Sequence, residues 1–384
     1  MTLRLISTLT IGCVLFLLAI SSSQVSASPG DSPRDRPDGP AKRVATVGDS
    51  ATVSPPPTPS PDVDPFERWP LEPAREFPAP PAGARLPSEV DFGPYTRRVR
   101  ASFRIRVRDV VIPYRVLGVT AMPGERLEIS VDEVWGEGSK EEFRLRSPER
   151  VEVPEEPGRW SWDAPTEPGP VPLRVESLRD GDAITLNVFV LHSFEEASHG
   201  SMNGFEIGQY RPPEGHRPPN GFVEAAQDVL DLLVAPGFTL RQFLPHQPGD
   251  PRYLALSEPL LLKLEAILEE VRASGIEART LHVMSAFRTP HYNRAIGNTT
   301  EGSRHLWGDA ADIFIDESGD GWMDDLTGDG RGGEADARLL HRLVEQVEAR
   351  SESHVRPGGL SLYRANNVRG PFLHVDARGL SARW

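Results

Sequence analysis

The sequence almost lacks cysteine. Its 384 residues include one, Cys13, which lies inside the apolar run of residues 5–20. Loss of that run would leave a chain without thiols, so a disulfide framework is excluded. Any metal site in the rest of the chain must use histidine and carboxylate ligands.

Positive charge is also scarce. Lys and Arg number 42 against 56 Asp and Glu, which gives a formal net charge of -14. Because no basic patch with interleaved aromatic residues occurs, we expect no nucleic-acid partner. The acidity also argues against simple electrostatic adhesion to an anionic surface.

Long apolar runs are missing beyond the N-terminus. Arg4 precedes the run of residues 5–20, and small residues follow at Ser26 and Ala27, which predicts a signal peptide over residues 1–27. Two alternatives stay open: an uncleaved anchor, and a lipoprotein site at Cys13, against which the apolar residues after Cys13 count. We expect a secreted or periplasmic protein with no integral membrane span after cleavage.

Residues 28–95 are dominated by Pro, Asp, Ser and Gly. Such a segment buries too little apolar area to offset the entropy lost on ordering, so it is predicted to be a disordered, partly polyproline II linker.

Residues 96–195 change to short β-rich runs separated by turn residues. The strand candidates are residues 110–116, 127–131, 171–175 and 184–191. Strands punctuated in this way predict an all-β domain, an immunoglobulin-like sandwich with Trp160 and Trp162 in its core. No cluster of ionisable groups suited to catalysis lies here, so we expect a positioning or binding role.

Residues 202–384 read as a second, α+β domain. Apolar residues recur at helical spacing over residues 257–271 and 336–350, with Ser257 as a predicted N-cap and Gly275 as a stop. Strand-like runs occupy residues 281–285, 310–315 and 371–377. Residues 222–234 fit either a helix or a strand with a loop.

Two histidines and one aspartate in this domain have the composition of a catalytic zinc site. His305 and Asp312 are seven residues apart, and His374 lies on a separate strand-like run. Strand periodicity places Asp312 and His374 opposite the aliphatic face of their strands, and His305 in a turn that could bend over them. Two imidazoles and a carboxylate commonly hold zinc with the fourth position left to water. A histidine hydrogen-bonded in a core would explain His374 equally well.

Three blocks in this order resemble the M15 zinc peptidases, which include D-Ala-D-Ala carboxypeptidases and murein endopeptidases with a zinc fold of the Hedgehog type. The blocks are residues 285–293, 303–312 and 372–376, and the last ends in His-Val-Asp as in murein endopeptidase K. The resemblance covers residues 281–384. It implies zinc ligation by His305, Asp312 and His374, and it implies that Arg288 steadies the substrate.

The general base departs from the family pattern. Where many M15 members have Glu or His before the last ligand, this chain has Pro371 and Phe372, which cannot accept a proton. Asp376, on the same strand face as His374, is the nearest replacement and is predicted to be catalytic, as the group that moves protons. In the alternative it only orients His374.

The acidic segment of residues 316–336 has the pattern of a calcium loop. Counted from Asp325, oxygen side chains fall at Asp325, Thr327, Asp329 and Asp336, and Gly330 stands where an EF-hand-type loop turns sharply. This predicts a structural Ca²⁺ site. In the alternative, the Asp-Gly pairs are turns and Asp336 caps the next helix.

The leading interpretation is a secreted zinc metallopeptidase that hydrolyses peptidoglycan peptides, as a D-Ala-D-Ala carboxypeptidase or an endopeptidase. In a second, the chain is a catalytically inactive, zinc-containing cell-wall-binding protein. In a third, it is a calcium-organised adhesion protein, which leaves the His/Asp/His blocks unexplained.

Overall fold

A computed structural model describes residues 99–136, 138–197 and 199–384. The predicted signal peptide (residues 1–27) and linker (residues 28–95) lie outside the described residues. No helix in the described part is both long and apolar enough to cross a membrane.

Two four-stranded sheets form the first part of the described chain. Their strands are β1 (Arg100–Val107), β2 (Val110–Tyr114), β3 (Val116–Ala121), β4 (Arg126–Val134), β5 (Phe143–Arg146), β6 (Arg159–Asp163), β7 (Gly169–Ser177) and β8 (Ala183–Val190). One sheet has the order β2-β1-β4-β6 and the other β3-β8-β7-β5, with β3 parallel to β8. The chain is mostly β, and the immunoglobulin-like assignment stays a prediction.

The two sheets pack face to face through alternating residues. Every second residue of β1 is buried, as expected for a strand with one face in a core. Phe103 of β1 meets Phe143 of β5 with ring centroids 4.7 Å apart, which joins the sheets. Trp160 and Trp162 of β6 are buried, as predicted.

The predicted strand of residues 110–116 is two strands in different sheets. The chain leaves β2 and enters β3 at Arg115, whose guanidinium pairs with Asp182. Pro113 lacks the N–H that a continuous central strand would use.

Short strands connect the two parts. They are β9 (His192–Ser193), β10 (Ser201–Met202), β11 (Phe205–Glu206), β12 (Gly221–Ala225), β13 (Leu233–Ala235), β14 (Phe238–Thr239) and β15 (Arg252–Leu254). Residues 222–234 are thus a strand followed by a loop. Since β12 pairs with both β9 and β15, the sheet order β15-β12-β9 bridges the two predicted domains.

The last part is α+β. The helices are α1 (Glu258–Ala273), α2 (Pro290–Ala295) and α3 (Glu334–Ala349), and the strands are β16 (His282–Ser285), β17 (Ala310–Phe314), β18 (Gly359–Tyr363), β19 (Phe372–Asp376) and β20 (Ala382–Arg383). The five strands form one sheet in the order β16-β17-β19-β18-β20. Helices α1 and α3 pack on each other, and α3 packs on β18 and β19.

The first part is fixed to helix α1 by polar contacts as well as by a continuous hydrophobic core. Tyr114 donates to Glu269 at 2.7 Å, and Arg100 pairs with the same carboxylate at 2.8 Å. The backbone and hydroxyl of Thr120 both donate to Glu258, at the first turn of α1. These sheets therefore support the helix behind the sheet of β16–β20.

Candidate metal centre

Strand pairing brings two of the predicted ligands together. Asp312 of β17 and His374 of β19 are directly opposite each other in the antiparallel ladder. His305 lies in the 3-10 turn Arg304–Trp307, which ends at Gly308 with a positive φ of 69°. A Cβ at Gly308 would stand 2.2 Å from the carbonyl oxygen of Ala255, so only glycine allows this turn to fold so closely.

The three side chains are buried and face one another. His374 Nδ1 lies 3.0 Å from Asp312 Oδ1, and His305 Nε2 lies 3.2 Å from His374 Nδ1. His305 Nε2 is 3.3 Å from the same Asp312 oxygen. Within the part of the chain that the structure describes, this is the group of His and acidic residues whose ligand atoms converge for a metal ion, all within 4.8 Å.

The outer hydrogen bonds of both histidines suit metal ligation. His305 Nδ1 lies 2.6 Å from the carbonyl oxygen of Ala286, which can only accept, so Nδ1 carries the proton and Nε2 presents its lone pair. His374 Nε2 lies 3.4 Å from Asp376 Oδ2, which leaves Nδ1 for the shared centre. Ligating histidines usually have such a carbonyl or carboxylate behind them. The residues present therefore fit a divalent metal such as zinc.

The charges around the site hold Asp312 ionised. Burial alone would raise the pKa of this carboxyl, but the neighbouring His305, Arg288 and His374 hold it well below its usual range. Burial and, after it, the Arg288 charge lower the pKa of His305 to about 4. A metal needs an anionic carboxylate and neutral imidazoles, so Asp312 and His305 suit it. Burial lowers the pKa of His374, but its hydrogen bonds to Asp312 and Asp376 raise it overall, so metal binding would release a proton from that ring.

Arg288 lies behind Asp312. Its Nη2 donates to Asp312 Oδ2 and its Nε donates to the Ser285 hydroxyl at 2.8 Å, while its backbone N–H donates to the carbonyl oxygen of His305. Arg288 thus fixes one carboxylate oxygen and leaves the other to the shared centre. It is buried and also lines the cleft, and the predicted substrate contact stays a prediction.

Asp376 lies on the far side of the His374 ring. Its carboxylate is fully buried and accepts from His374, from the Gly359 backbone at 2.8 Å and from the Arg378 guanidinium at 2.9 Å. Although burial would raise the pKa of Asp376, these donors hold it far below its usual range. A carboxylate that binds protons so weakly is a poor general base. The geometry favours the orienting alternative.

A cleft of about 430 Å³ opens on the metal group, which consists of His305, Asp312 and His374. Arg288, His305, Asp312 and His374 line it, together with Asn298, Thr300, Gly302, Ser303, Arg304, Tyr363, Arg378 and Trp384. A second cavity, of about 180 Å³, lies on the other side of Arg288, with Met284, Tyr292 and Val368 in its wall. Arg288 therefore separates the metal cleft from a largely apolar neighbour.

Some cleft residues were not predicted from the sequence. Arg304 precedes His305, and Arg378 follows Asp376 by two residues, just beyond the end of β19. That proximity to the motifs was a usable signal. Tyr363 and Trp384 enter through the pairing of β18 with β19 and β20, which no local pattern indicates.

The predicted calcium ligands do not converge in the same way. Asp325 turns back on its own loop and accepts from the backbone of Gly328 and Gly330, both at 2.7 Å. Asp336 accepts from the backbone of Thr327 at 2.9 Å and of Gly333 at 2.7 Å. Asp336 lies in the first turn of α3 and reaches back to Gly333, which is the N-cap itself. The Ca²⁺ site stays a prediction.

The comparison with protein families agrees with this geometry. A family model described as Peptidase M15 matches residues 244–323. The matched segment contains Arg288, His305 and Asp312 and ends before β19, which supplies His374. No curated protein and no solved structure gives a significant match. The C-terminal part of this chain is an M15-family peptidase domain.

Proposed function

We propose that the protein is an exported zinc metallopeptidase that hydrolyses peptidoglycan peptides, as a D-Ala-D-Ala carboxypeptidase or an endopeptidase. The observation that carries this is the convergence of His305, Asp312 and His374, within 4.8 Å, on an open cleft. M15 peptidases use zinc, and this donor set suits it. Export through residues 1–27 is part of the same proposal.

The chain's own residues prepare the site in three ways. Ala286 and Asp376 hold the two imidazoles with one nitrogen each toward the centre. Arg288 keeps Asp312 anionic and in place. Zinc bound there would polarise the scissile carbonyl and lower the pKa of water. Because the cleft is open, a peptide can reach these groups from solvent.

The reaction also needs a general base, and the cleft offers few groups for that role. Among the described residues that line the cleft, Asp312 has the one carboxylate side chain, and it belongs to the metal group. Asp376 is held by donors on the far side of His374. This observation supports the second function, a catalytically inactive zinc protein that binds the cell wall through the same cleft.

Digestion of purified peptidoglycan distinguishes the peptidase from the inactive binding protein. Wild type and His305→Ala are incubated with it, products are resolved by mass, and zinc content is measured on the same samples. Metal-dependent release of a terminal D-Ala indicates a carboxypeptidase, and cleaved cross-links indicate an endopeptidase. Zinc retained by wild type with no product in either assay contradicts the peptidase and supports the binding protein.

A further inference from the structure

Three arginines on the outer face of the sheet β3-β8-β7-β5 share one carboxylate. Arg144 and Arg146 of β5 donate through Nε to Glu176 at 2.8 and 3.1 Å. Arg174 of β7 donates through Nε to the other oxygen of Glu176 at 2.8 Å. Although partial burial would raise the pKa of Glu176, Arg144 and Arg174 hold it below its usual value. Three positive charges therefore meet one negative charge, which leaves two positive charges in excess.

Strand pairing sets two of these arginines against each other. Arg146 is directly opposite Arg174, and Arg144 is directly opposite Glu176. Directly opposed residues of an antiparallel ladder have their side chains on one face, about 5 Å apart, and like charges there destabilise the sheet. The single carboxylate offsets this repulsion only in part. A bound anion would offset the rest.

The guanidinium groups are accessible to a partner. The side chains of Arg144, Arg146 and Arg174 are 39%, 46% and 49% exposed, whereas that of Glu176 is 17% exposed. Within the described ranges, Arg144 and Arg146 hydrogen-bond through Nε and not through either Nη atom. The carboxylate thus lies beneath the three cations, and the surface that they present to solvent is positive.

The other four-stranded sheet balances a similar pair of arginines. Arg104 and Arg106 lie two residues apart on β1, the spacing of the two arginines on β5. Arg104 pairs with Asp132 at 2.7 Å and with Glu133 at 3.0 Å. Arg106 pairs with Asp132 at 2.8 Å. Two cations meet two carboxylates there. The positive excess on β5 and β7 is thus a local feature in a chain of net charge -14.

The same face is covered at its β3–β8 end. Asn187 of β8 is on this face, because the register places it opposite the residue two positions before Arg174. Its amide donates to the carbonyl oxygen of Leu233 at 2.8 Å. Val234 packs on Gly118 of β3, where a Cβ would lie 3.2 Å from it. The connecting segment therefore covers β3 and β8 and leaves the arginines on β5 and β7 at the surface.

A linear polyanion suits this open surface better than a small anion does. One anion gains little from exposed guanidinium groups, which salt screens. A polymer with repeated charges can contact all three arginines, and each contact after the first is intramolecular. Phosphodiester oxygens match the planar fork of a guanidinium. The side chains beside the arginines in the ladder are Val151, Pro172 and Thr185, which offer no aromatic surface to a nucleobase.

We propose that Arg144, Arg146 and Arg174 form a binding surface for a linear phosphodiester polymer without nucleobases, of the polyol phosphate class. The surface attaches the protein to such a polymer through its first part. The proposal goes beyond the proposed peptidase function and is independent of it, because binding of the polymer requires neither the metal group nor hydrolysis.

The test measures binding of fluorescently labelled poly(glycerol phosphate) to the full chain by anisotropy, at low salt and at about 0.15 M salt. The double variant Arg144→Gln with Arg146→Gln removes two of the three cations. Arg104→Gln with Arg106→Gln is the matched control, with the same spacing on one strand face and the same loss of charge. Melting curves show whether each variant is folded. Polygalacturonate and an oligodeoxynucleotide are the comparison polymers.

Wild type and the control should bind poly(glycerol phosphate) alike, more weakly at the higher salt. The β5 double variant should bind about 3- to 30-fold more weakly, the size of two exposed ion pairs. Arg174→Gln removes one cation from the other strand and should weaken binding by about 2- to 5-fold, which keeps the test if the double variant does not fold. No binding by wild type at low salt, an equal loss in the control, or unchanged binding in folded Arg174→Gln overturns the surface.

The remaining arms identify the partner and the place of binding. If polygalacturonate or the oligodeoxynucleotide binds as tightly as poly(glycerol phosphate), the assignment to a polyol phosphate is overturned. His305→Ala should bind the polymer as wild type does, even where it abolishes hydrolysis. Loss of polymer binding in folded His305→Ala would place the polymer at the metal group and overturn the surface on β5 and β7. Absence of hydrolysis in every variant contradicts only the peptidase.

Discussion

The metal group and the acidic segment of residues 316–336 use the same kind of residue in opposite ways. Asp312 and Asp316 are four residues apart in the chain. Asp312 points across the sheet to His374, 62 residues away, and to Arg288. Asp316 turns back on its own segment and accepts from the backbone of Gly319 at 2.7 Å and of Gly321 at 3.0 Å.

The acidic segment repeats this local arrangement nine residues later. Asp325 accepts from the N–H groups of Gly328 and Gly330 as Asp316 does from Gly319 and Gly321. Gly330 has a φ of +86°, which lets its N–H turn toward the aspartate. A dense run of acids is thus explained by turn formation, while a sparse set brought together by strand pairing has the geometry of a metal site. Convergence of ligand atoms, rather than density of carboxylates, distinguishes the two.

Removal of zinc should change the activity more than any other treatment. It should act through the metal group and not through the acidic segment. A zinc chelator is expected to lower activity by about 10³-fold or more, because the metal supplies several kcal/mol of transition-state stabilisation. One equivalent of zinc should restore it. A Ca²⁺-selective chelator should leave kcat within about twofold of the untreated protein. Equal loss with both chelators would contradict the separation of the two regions.

Asp376→Asn tests how the metal group is supported from behind. If Asp376 orients His374, the variant should bind zinc about 10- to 100-fold more weakly, with kcat largely restored at saturating zinc. The amide nitrogen that replaces one oxygen cannot accept the proton of His374 Nε2. Competition with a calibrated zinc chelator measures the affinity. Unchanged zinc affinity with a large fall in kcat would instead assign a proton-transfer role to Asp376.

Local patterns in the sequence predicted those parts of the site that depend on periodicity. Helix α1 follows its apolar spacing, with Ser257 as N-cap and a positive φ at Gly275 after its end. The alternation of buried aliphatics placed Asp312 and His374 on one face, and their strands are paired neighbours. A motif on a strand is predictable because backbone geometry fixes the direction of its side chains.

Long-range partners could not be predicted in this way. Lys263 is on α1 and is fully buried, because its ammonium group pairs with Glu348 of α3 and donates to the carbonyl oxygen of Asp376 at 2.7 Å. Helical spacing alone would expose a lysine at that position. Likewise, the donors that keep the Asp376 carboxylate ionised come from Gly359 and Arg378, and only the tertiary fold brings Gly359 to β19.

Asp336→Ala should lower the free energy of unfolding and leave the catalytic activity of the folded protein unchanged. The Asp336 carboxylate is fully buried and accepts from the backbone of Leu326, Thr327 and Gly333. Its loss leaves these donors without a partner, and the free energy of unfolding should fall by about 2–3 kcal/mol. Urea unfolding measures this, with exposed Asp329→Ala as the matched control. Loss of bound zinc in folded Asp336→Ala would show that the two regions are coupled.

Addition of Ca²⁺ should have the smallest effect, a small rise in melting temperature. Its presence or absence shows whether the acidic segment binds an ion or only forms turns. The four predicted ligands are Asp325, Thr327, Asp329 and Asp336. An ion that binds the folded segment and not the unfolded chain stabilises the protein by mass action. A gain of about 1 kcal/mol would raise the melting temperature by about 1–2 °C in a chain of this size. Melting curves of zinc-loaded wild type and Asp325→Asn, with Ca²⁺ and with a Ca²⁺-selective chelator, test this. The shift should occur in wild type, vanish in Asp325→Asn and leave zinc content unchanged. Superimposable wild-type curves would mean that the carboxylates of this segment only close turns, as their backbone hydrogen bonds already allow.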